Sequence, residues 1–317
     1  MTEQIVITDY NFPHLDQEKK IFETAGFEML SFKCKTELEV MVAGENAAGL
    51  LVQWAPVTEK VIRRLKCCRL IVRYGIGTDN VDLEAAKRAG IVVCNIPHYC
   101  LTEVAEHTLA LVFSLLRQLS SIDQLIRQGH WQNIPPGIVL PFEKLNFVSL
   151  GFGKIAKQVI HRASIFGCNL FAYDPFVSGD EMMQFETVKV TLDEAFKIAD
   201  VLVLHLPLTE STRHIINLES LLKMKKNAII VNTSRGALID TITLADFLSN
   251  DLIGGAGLDV FENEPLPLDH PIREAPNVIL TSHVAWYSEE SIPKLQKLAA
   301  EEMVSGLTGK KVRNRVA

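Results

Sequence analysis

Short apolar runs alternate with helical patterns along the first hundred residues. The apolar runs are rich in Val, Ile and Leu, and their length is typical of strands; the stretches between them have helical periodicity. The predicted strands are QIVIT, AAGLLVQW, LIVRYG and IVVCNIP, and the predicted helices are LDQEKKIFETAG, TEKVIRRLKC and LEAAKRAG. This alternation is typical of a parallel sheet that is covered by helices on both faces.

A second series of the same kind begins near Phe142. The predicted strands are NFVSLG, NLFAYD, VKV, DVLVLHLP, NAIIVNTS, GGAGLDVF and NVILTSH. The predicted helices are KIAKQVIHRASIFG, LDEAFKIA, TLADFLSN and a last one from about Ile292 to Gly309, with Ser291 as its expected cap. We expect this last helix to cross back onto the first domain.

Between the two series lies a long helical pattern that runs to Gly129. Its apolar residues occur nearly all round the helix, so we expect it to be buried against a second domain or another subunit. The following segment, WQNIPPGIVLP, contains three prolines and is interpreted as a linker. At 317 residues the chain is long enough for two domains of ordinary size.

Charge and cysteine content narrow the possible functions. The net charge of −6 argues against a nucleic-acid partner, and one basic run is the only candidate for such a surface: Arg63, Arg64, Lys66 and Arg69. We expect it on the exposed side of a helix whose other face carries Val61, Ile62 and Leu65. The six cysteines include neither a C-x-x-C pair nor a spacing suited to zinc, so we expect reduced thiols and no metal.

Membrane and export signals are also not apparent in the sequence. No segment approaches the ~18 consecutive apolar residues that a membrane helix needs. The amino terminus, MTEQIVITDYNF, lacks the charged-then-apolar order of a signal peptide. We therefore expect a cytoplasmic protein without a membrane partner.

A glycine-rich turn follows the predicted strand FVSL and precedes a helix. Gly151 permits a tight turn, and Gly153 lets the backbone approach a pyrophosphate at the positive end of the helix. Asp174 ends the next predicted strand, 21 residues after Gly153, where a carboxylate can accept hydrogen bonds from two ribose hydroxyls. Because no Arg follows within Pro175 to Val177, we expect NAD rather than NADP. The alternative is that Asp174 only starts a turn with Pro175.

Three polar side chains appear in order where late apolar strands give way to loops: Arg235, Glu264 and His283. Arg235 could hold a carboxylate and polarise a neighbouring carbonyl, and His283 could protonate the alkoxide that forms when hydride arrives. Glu264 beside His283 would favour the imidazolium. Alternatively, Arg235 binds only cofactor phosphate, Glu264 caps a turn, and His283 is structural.

The chain resembles the D-isomer-specific 2-hydroxyacid dehydrogenase family over nearly its full length. The resemblance rests on these motifs: YGIGTDNVDLEAAKRAGIVVCNIP, EVAEHTLAL, GFGKIA with Asp174, HLPLTESTRHIIN, VNTSRGALID, GLDVFENEP and SHVAWYSEES. It implies two Rossmann-like parallel-sheet domains, flavodoxin-like and NAD-binding, with the active site in a cleft between them. The expected domains are 1–98 plus 290–317 for substrate and 99–289 for NAD, with a homodimer formed through helix 102–129.

The resemblance also implies roles for single residues. Arg235, Glu264 and His283 match the family's substrate-binding arginine, its glutamate and its acid/base histidine. The backbone of Tyr74, Gly75, Ile76 and Gly77 matches the loop that receives the substrate carboxylate. The positions expected to bind the cofactor are Gly151, Gly153, Lys154, Ile155, Asp174, His205, Pro207, Thr212, Thr233, Asp259 and His283.

Within the family, the chain is most similar to the branch of the C-terminal-binding-protein corepressors. Trp286 matches an aromatic residue of that branch's substrate pocket, which Tyr74, His98 and Tyr99 are expected to help line; alternatively, Trp286 only packs the domain hinge. The implied activity is NAD-dependent interconversion of a small 2-oxo acid and a D-2-hydroxy acid. The open alternatives are glyoxylate or hydroxypyruvate reduction, 3-phosphoglycerate oxidation, and a non-catalytic NADH-sensing regulator.

Overall fold

A computed structural model describes residues 2–131 and 139–317 of the chain. These residues form two compact units, one of Met1–Cys100 with Tyr287–Ala317 and one of Leu101–Trp286, hereafter unit 1 and unit 2. The domain bounds expected from the sequence lie two or three residues from these. Most of the predicted linker, residues 132–138, lies outside the described residues.

Unit 1 contains a five-stranded parallel sheet in the order β2-β1-β3-β4-β5. This is the flavodoxin-like order, in which the chain reverses direction across the sheet between β1 and β3. The central strands β3 and β4 are wholly buried, as their unbroken apolar sequences require. The strands are β1 (Gln4–Ile7), β2 (Glu28–Ser31), β3 (Gly49–Val52), β4 (Leu70–Arg73) and β5 (Val92–Cys94).

Five helices accompany this sheet: α1 (Asp16–Thr24), α2 (Glu37–Gly44), α3 (Glu59–Ile62), α4 (Leu83–Arg88) and α12 (Ser291–Leu307). The last helix packs on α1, β3 and β4, as its predicted return to the first domain requires. It begins at Ser291, one residue earlier than expected, so Ser291 is the first helical residue and not the cap. Ser288 and Ser291 instead exchange backbone-to-hydroxyl hydrogen bonds of 2.9 Å.

Two elements of unit 1 are absent from the sequence prediction. Strand β2 lies at the sheet edge with both end residues exposed, so it has no apolar run. Helix α2 exposes Leu38 and Val42, which obscures its amphipathic pattern. The start of α2 could nonetheless be recognised in the sequence, because Thr36 and Glu39 have the spacing of a capping box, which they form in the structure.

The expectation that the basic run lies on the exposed side of a helix is wrong, because α3 ends at Ile62, before the first arginine. Its four cations instead pair with carboxylates: Arg63 with Glu59 at 2.8 Å, Arg64 and Lys66 with Glu45 at 3.9 and 2.9 Å, and Arg69 with Glu3 at 2.6 Å. The prediction that Val61 and Ile62 face the interior is confirmed.

Unit 2 contains a seven-stranded parallel sheet in the order β12-β11-β10-β9-β6-β7-β8. When β6 is counted as strand 1, strands β6 to β11 follow the order 3-2-1-4-5-6 of dinucleotide-binding sheets. Strand β12 is added to this sheet beside β11. The strands are β6 (Asn146–Leu150), β7 (Asn169–Tyr173), β8 (Val188–Lys189), β9 (Val201–Leu204), β10 (Ile229–Asn232), β11 (Gly255–Leu258) and β12 (Val278–Leu280).

Its helices are α5 (Leu101–Leu116), α6 (Leu119–Arg127), α7 (Lys154–Ser164), α8 (Gly179–Met183), α9 (Leu192–Ile198), α10 (Leu218–Lys223) and α11 (Thr241–Ser249). Alternate residues of the central strands enter two separate apolar cores. Val148 and Leu202 lie in one core, and Phe147 and Val201 lie in the other. The sheet is therefore buried on both faces, which explains why its strands read as continuous apolar runs.

The long helix predicted to end at Gly129 is two helices. Helices α5 and α6 meet at an angle of 59°, where Gln118 adopts a φ of 52° in the left-handed region. A single residue in this conformation ends a regular helix, and nothing in the apolar pattern marks it. Within the described ranges no single helix is long and apolar enough to cross a membrane; α5 and α6 taken together satisfy that criterion by length and composition only.

Candidate functional site

The candidate residues of unit 2 follow six of its parallel strands at their carboxyl ends. Such ends lie along one edge of the sheet, which is where open α/β sheets bind ligands. The residues are Gly151 after β6, Asp174 after β7, His205 after β9, Thr233 after β10, Asp259 after β11 and His283 after β12. Residues far apart in sequence are thus arranged along one line.

The turn after β6 requires glycine at position 151 for two reasons, its backbone conformation and a close backbone contact. Gly151 has a φ of 97°, and a Cβ placed on it would lie 2.4 Å from the backbone oxygen of His205. Among the described residues, a Cβ on Gly153 would meet no heavy atom within 4 Å. The space before Lys154, where α7 begins, is therefore open, and the first amide groups of that helix can face an anion there. Ile155 packs on an apolar core and supports the turn.

Asp174 connects two loops. One carboxylate oxygen accepts from the amide of Phe152 at 2.9 Å, and the other accepts from the amide of Phe176 at 2.9 Å. The second bond is the local turn that sequence reasoning held open as the alternative. Two carboxylate oxygens have about four acceptor positions, so further donors such as ribose hydroxyls can still bind.

The loop after β9 carries three of the expected cofactor residues. Thr212 donates to the carbonyl of Pro207 at 2.7 Å and so closes a turn. The Nε2 atom of His205 is buried and has no hydrogen-bond partner among the described residues. Burial lowers the pKa of His205 to about 4, so this imidazole is neutral at neutral pH.

The end of β10 positions Arg235. Thr233 shares a 2.9 Å hydrogen bond with Thr108 of α5, and Arg235 donates through Nη1 to the carbonyl of Ser234 at 2.7 Å. A Cβ on Gly236 would lie 1.9 Å from the backbone carbon of Phe261. Because Gly236 has no Cβ, the backbone that follows Arg235 can lie in close contact with the segment that leads to Glu264.

Glu264 and His283 are joined by a 2.7 Å hydrogen bond between Oε2 and Nδ1. The other oxygen of Glu264 accepts from the amide of Phe261 at 2.9 Å. Burial raises the pKa of Glu264, but the hydrogen bond and charge of His283, the Phe261 amide and the charge of Arg235 outweigh it and hold the pKa below its ordinary value of 4.5. Glu264 is therefore an anion at neutral pH and accepts the Nδ1 proton of His283.

Asp259 holds the loop that carries His283. It is fully buried, and its carboxylate accepts from the Thr281 hydroxyl at 2.6 Å and from the amides of Val284 and Ala285 at 2.9 Å. The amide of His283 donates to the Asp259 carbonyl at 2.7 Å, and His283 has a φ of 55°. The resemblance placed Asp259 near the cofactor; the structure in addition makes it the anchor of this loop.

Trp286 lies one turn further along. Its indole Nε1 donates to the carbonyl of His283 at 2.8 Å, so the ring is fixed relative to the imidazole. The expected role as a pocket wall stays a prediction, and the hydrogen bond gives Trp286 a structural role in any case.

In unit 1 the prediction for the Tyr74 side chain is wrong. Tyr74 is 1% exposed, and its hydroxyl donates to Glu18 at 3.0 Å, so the ring belongs to the core and cannot line an open pocket. The backbone that follows is different. Gly75 has a φ of 140°, and the amides of Ile76 and Gly77 donate to no described acceptor, so they can receive an anion.

Sequence reasoning missed Arg73. This residue ends β4 and is 8% exposed; its Nη1 would lie 1.6 Å from a Cβ on Gly75, and its guanidinium carbon is 5.3 Å from the ring centre of Trp54. A cation thus borders the loop with the two available amides. The sequence contained a feature that could have identified Arg73, because arginine is rarely buried and this one ends the otherwise apolar strand LIVR.

Comparison with known proteins connects this geometry to a family. Residues 109–285 match the model of the NAD-binding domain of D-isomer specific 2-hydroxyacid dehydrogenases. The chain is 37% identical to a D-3-phosphoglycerate dehydrogenase of Methanocaldococcus jannaschii over 317 residues, covering 99% of this chain and 59% of that protein. It therefore spans little more than half the length of that relative.

Two further proteins are similar over most of their own length. A glyoxylate reductase of Korarchaeum cryptofilum is 34% identical over 253 residues, which are 79% of this chain and 76% of the relative. The crystal structure of a D-lactate dehydrogenase from Aquifex aeolicus, complexed with NAD and lactic acid, superposes with a TM-score of 0.89 at 26% identity and covers 96% of both chains. By these matches the chain belongs to the D-isomer-specific 2-hydroxyacid dehydrogenase family and carries its NAD-binding domain.

Proposed function

We propose that the chain catalyses reversible hydride transfer between NADH and a small 2-oxo acid to give a D-2-hydroxy acid. The observation that carries this proposal is the 2.7 Å pair of His283 and Glu264 at the carboxyl edge of an NAD-binding sheet. Arg235 lies close enough for its charge to lower the pKa of Glu264. An acid/base, its carboxylate partner and an anion-binding cation therefore occur together in unit 2.

The cofactor fits the residues that are present. Bound NAD supplies the hydride acceptor, and in its reduced form the hydride donor. The open space at Gly153 suits a pyrophosphate, because the amides that begin α7 can donate to it. Asp174 suits the ribose hydroxyls and would repel a 2′-phosphate, which favours NAD over NADP.

The reaction assigns one task to each residue. Arg235 binds the substrate carboxylate and polarises the adjacent carbonyl. When hydride reaches the carbonyl carbon, the carbonyl oxygen gains an electron pair, and His283 gives it a proton from Nε2. Glu264, bonded to Nδ1, stabilises the charged imidazolium before that transfer and keeps the ring oriented. In the oxidative direction His283 takes the proton back.

The substrate is proposed only as a class. Glyoxylate or hydroxypyruvate and 3-phosphoglycerate remain the alternatives, and the similar proteins include a glyoxylate reductase and two phosphoglycerate dehydrogenases. In the sequence, Tyr74 to Gly77 carry no basic side chain, which argues against a phosphorylated substrate. Arg73 weakens that argument, since a buried guanidinium borders this loop.

We further propose a homodimer and a cytoplasmic location. Helix α6 exposes Leu119 and Ile126, at 54% and 46%, on a segment expected to dimerise. All six cysteines are free thiols, which suits a reducing compartment. Light scattering of the purified protein tests the dimer, and Leu119→Asp with Ile126→Asp should shift it to monomer. Cell fractionation tests the location.

The experiment that tests the main proposal is NADH oxidation against a panel of 2-oxo acids, with NADPH in parallel. The panel includes glyoxylate, pyruvate, hydroxypyruvate, 3-phosphohydroxypyruvate and branched and aromatic members. Turnover that is lost in His283→Gln supports the proposal. Tight NADH binding without turnover of any member would support the sensor instead.

A further inference from the structure

A cavity lies at the end of the unit 1 sheet that is opposite to the loop Tyr74 to Gly77. It encloses about 410 Å³ and is bounded by the residues that begin β4 and β5 and by the segment that follows α12. Arg69 and Leu70 stand at the amino end of β4, whereas Gly75 follows its carboxyl end. None of the residues that line the cavity is assigned to the proposed reaction.

Four cations border this cavity: Arg69, Lys310, Lys311 and Arg315. Arg69 is engaged by Glu3 through two bonds of 2.6 and 2.9 Å. Arg315 donates through Nε to the backbone oxygen of Ala317 at 2.9 Å and so keeps its Nη groups for other acceptors. Neither Lys310 nor Lys311 forms a salt bridge with a described carboxylate. In a chain of net charge −6, this is a local excess of positive charge.

The floor of the cavity is apolar. The partly buried Val92 and Val312 line it, and a Cβ on Gly306 would lie 2.5 Å from the buried Leu70 and 3.0 Å from Val312. Glycine at this position brings α12 close to β4 and closes the bottom of the cavity. A ligand here would meet hydrocarbon below and cations at the rim.

The segment that carries three of the cations is held in place. The amides of Arg313 and Asn314 donate to the buried carboxylate of Glu302 at 2.7 and 2.9 Å. Further along, the amide of Val316 donates to the Val93 carbonyl at 2.8 Å, so the segment pairs with the edge of β5. The backbone that carries these cations is therefore fixed before a ligand binds.

We propose that this cavity binds a small organic phosphate. The phosphate group would be held by Lys310, Lys311 and Arg315, and the apolar part of the molecule would lie on Val92 and Val312. Three exposed cations border one opening, and together they match the two charges of a phosphate better than the single charge of a carboxylate. The volume is in the range of small-molecule sites.

Isothermal titration calorimetry of the NADH-saturated protein with phenyl phosphate tests the proposal, because NADH occupies the phosphate-binding turn of unit 2. We expect saturable binding with one site per chain. The double substitution Lys310→Glu with Lys311→Glu should weaken it at least tenfold. The matched control is Lys20→Glu with Lys294→Glu, which makes the same charge change on exposed faces of α1 and α12 and should leave the affinity within twofold.

The apolar floor has its own test. Val312→Ser should weaken binding of phenyl phosphate while changing the affinity for inorganic pyrophosphate less than twofold. The proposal is overturned if phenyl phosphate gives no saturable heat, or if both double substitutions weaken binding equally, since that is long-range attraction without a site. Equal losses for both probes in Val312→Ser would overturn the assigned contact with the floor. NADH oxidation is not the readout, so failure here leaves the proposed reaction untouched.

Discussion

Glu18 of unit 1 and Glu264 of unit 2 are both hydrogen-bonded glutamates, yet their pKa values shift in opposite directions. Burial raises the pKa of Glu18, which is 0% exposed. It outweighs the hydrogen bonds from the backbone amide of Glu18, from the Tyr74 hydroxyl and from the Gln296 amide, the last two at 3.0 Å, and the charge of His14. The pKa of Glu264 is lowered although burial opposes this, because His283 and Arg235 supply positive charge. The same side chain therefore joins α1, α12 and the Tyr74 loop in one unit and holds the imidazole of His283 in the other.

The two histidines repeat the contrast. His205 has a buried Nε2 without a described partner, and its pKa is lowered to about 4. His283 has Glu264 at 2.7 Å and a side chain that is 23% exposed. Burial without a charged partner favours the neutral ring of His205. Of these two histidines, it is His283 that has the carboxylate partner required by the proposed proton transfer.

The largest effect is expected for His283→Gln. Glutamine can still donate a hydrogen bond to Glu264 but cannot deliver a proton, so kcat should fall by about 10³-fold, or roughly 4 kcal/mol. NADH affinity, measured by fluorescence titration, should change less than threefold. A kcat within tenfold of the parent would remove His283 from the chemistry. His161→Gln, at an exposed position of α7, is the control.

His205→Asn should change how stability depends on pH. The pKa of His205 is lowered from 6.5 to about 4, so its neutral form stabilises the fold fully above pH 6.5, and this stability is lost as pH falls towards 4. The loss approaches about 3 kcal/mol. Urea unfolding at several pH values should show that the difference between the parent and His205→Asn changes by that amount between pH 7 and 4. A difference that is constant with pH would contradict the burial argument.

Glu264→Gln should lower kcat by about 10²-fold, or roughly 2.7 kcal/mol, because a neutral amide stabilises the imidazolium less than a carboxylate does. The folded state should be retained, since the amide oxygen can still accept from the Phe261 amide or from His283. Glu262→Gln is a matched control two residues away, because Glu262 pairs with His214 at 2.7 Å and has no assigned part in the reaction. Equal losses in both variants would indicate a general electrostatic effect.

The smallest expected effect is on the pH dependence of stability, and it is measured by replacing each of the two glutamates. Glu264 has a lowered folded pKa, so its stability contribution is present above its unfolded pKa and is lost as pH falls. Glu18 has a raised folded pKa, so its contribution is present at low pH and is lost as pH rises through that value. The stability differences between the parent and Glu264→Gln, and between the parent and Glu18→Gln, should therefore slope in opposite directions with pH. Parallel slopes in urea unfolding would refute the contrast.

Most of the fold could be predicted from the sequence, because a parallel sheet buried on both faces leaves unbroken apolar runs between helical patterns. The strands around Leu50, Ile71, Val148 and Ile230 were legible for this reason. The short helices α8 and α10 of unit 2 were not predicted. Three other exceptions share a cause. Strand β2 lies at a sheet edge, α2 exposes two large apolar residues, and the break at Gln118 depends on one backbone conformation. Partial exposure and single torsions leave little trace in an apolar pattern.

The sequence by itself determined the residue types and their order: the glycine turn, Asp174, Arg235, Glu264 and His283, each at a strand end. Local patterning can do this because strand and helix periods depend on near neighbours. Only the tertiary structure decided that Glu264 and His283 lie 2.7 Å apart, that Asp259 holds the loop that carries His283, and that Tyr74 faces Glu18 in the core. Those contacts join residues 19 to 56 positions apart. Burial and charge at such contacts are set by the packing of the whole sheet, which no local pattern records.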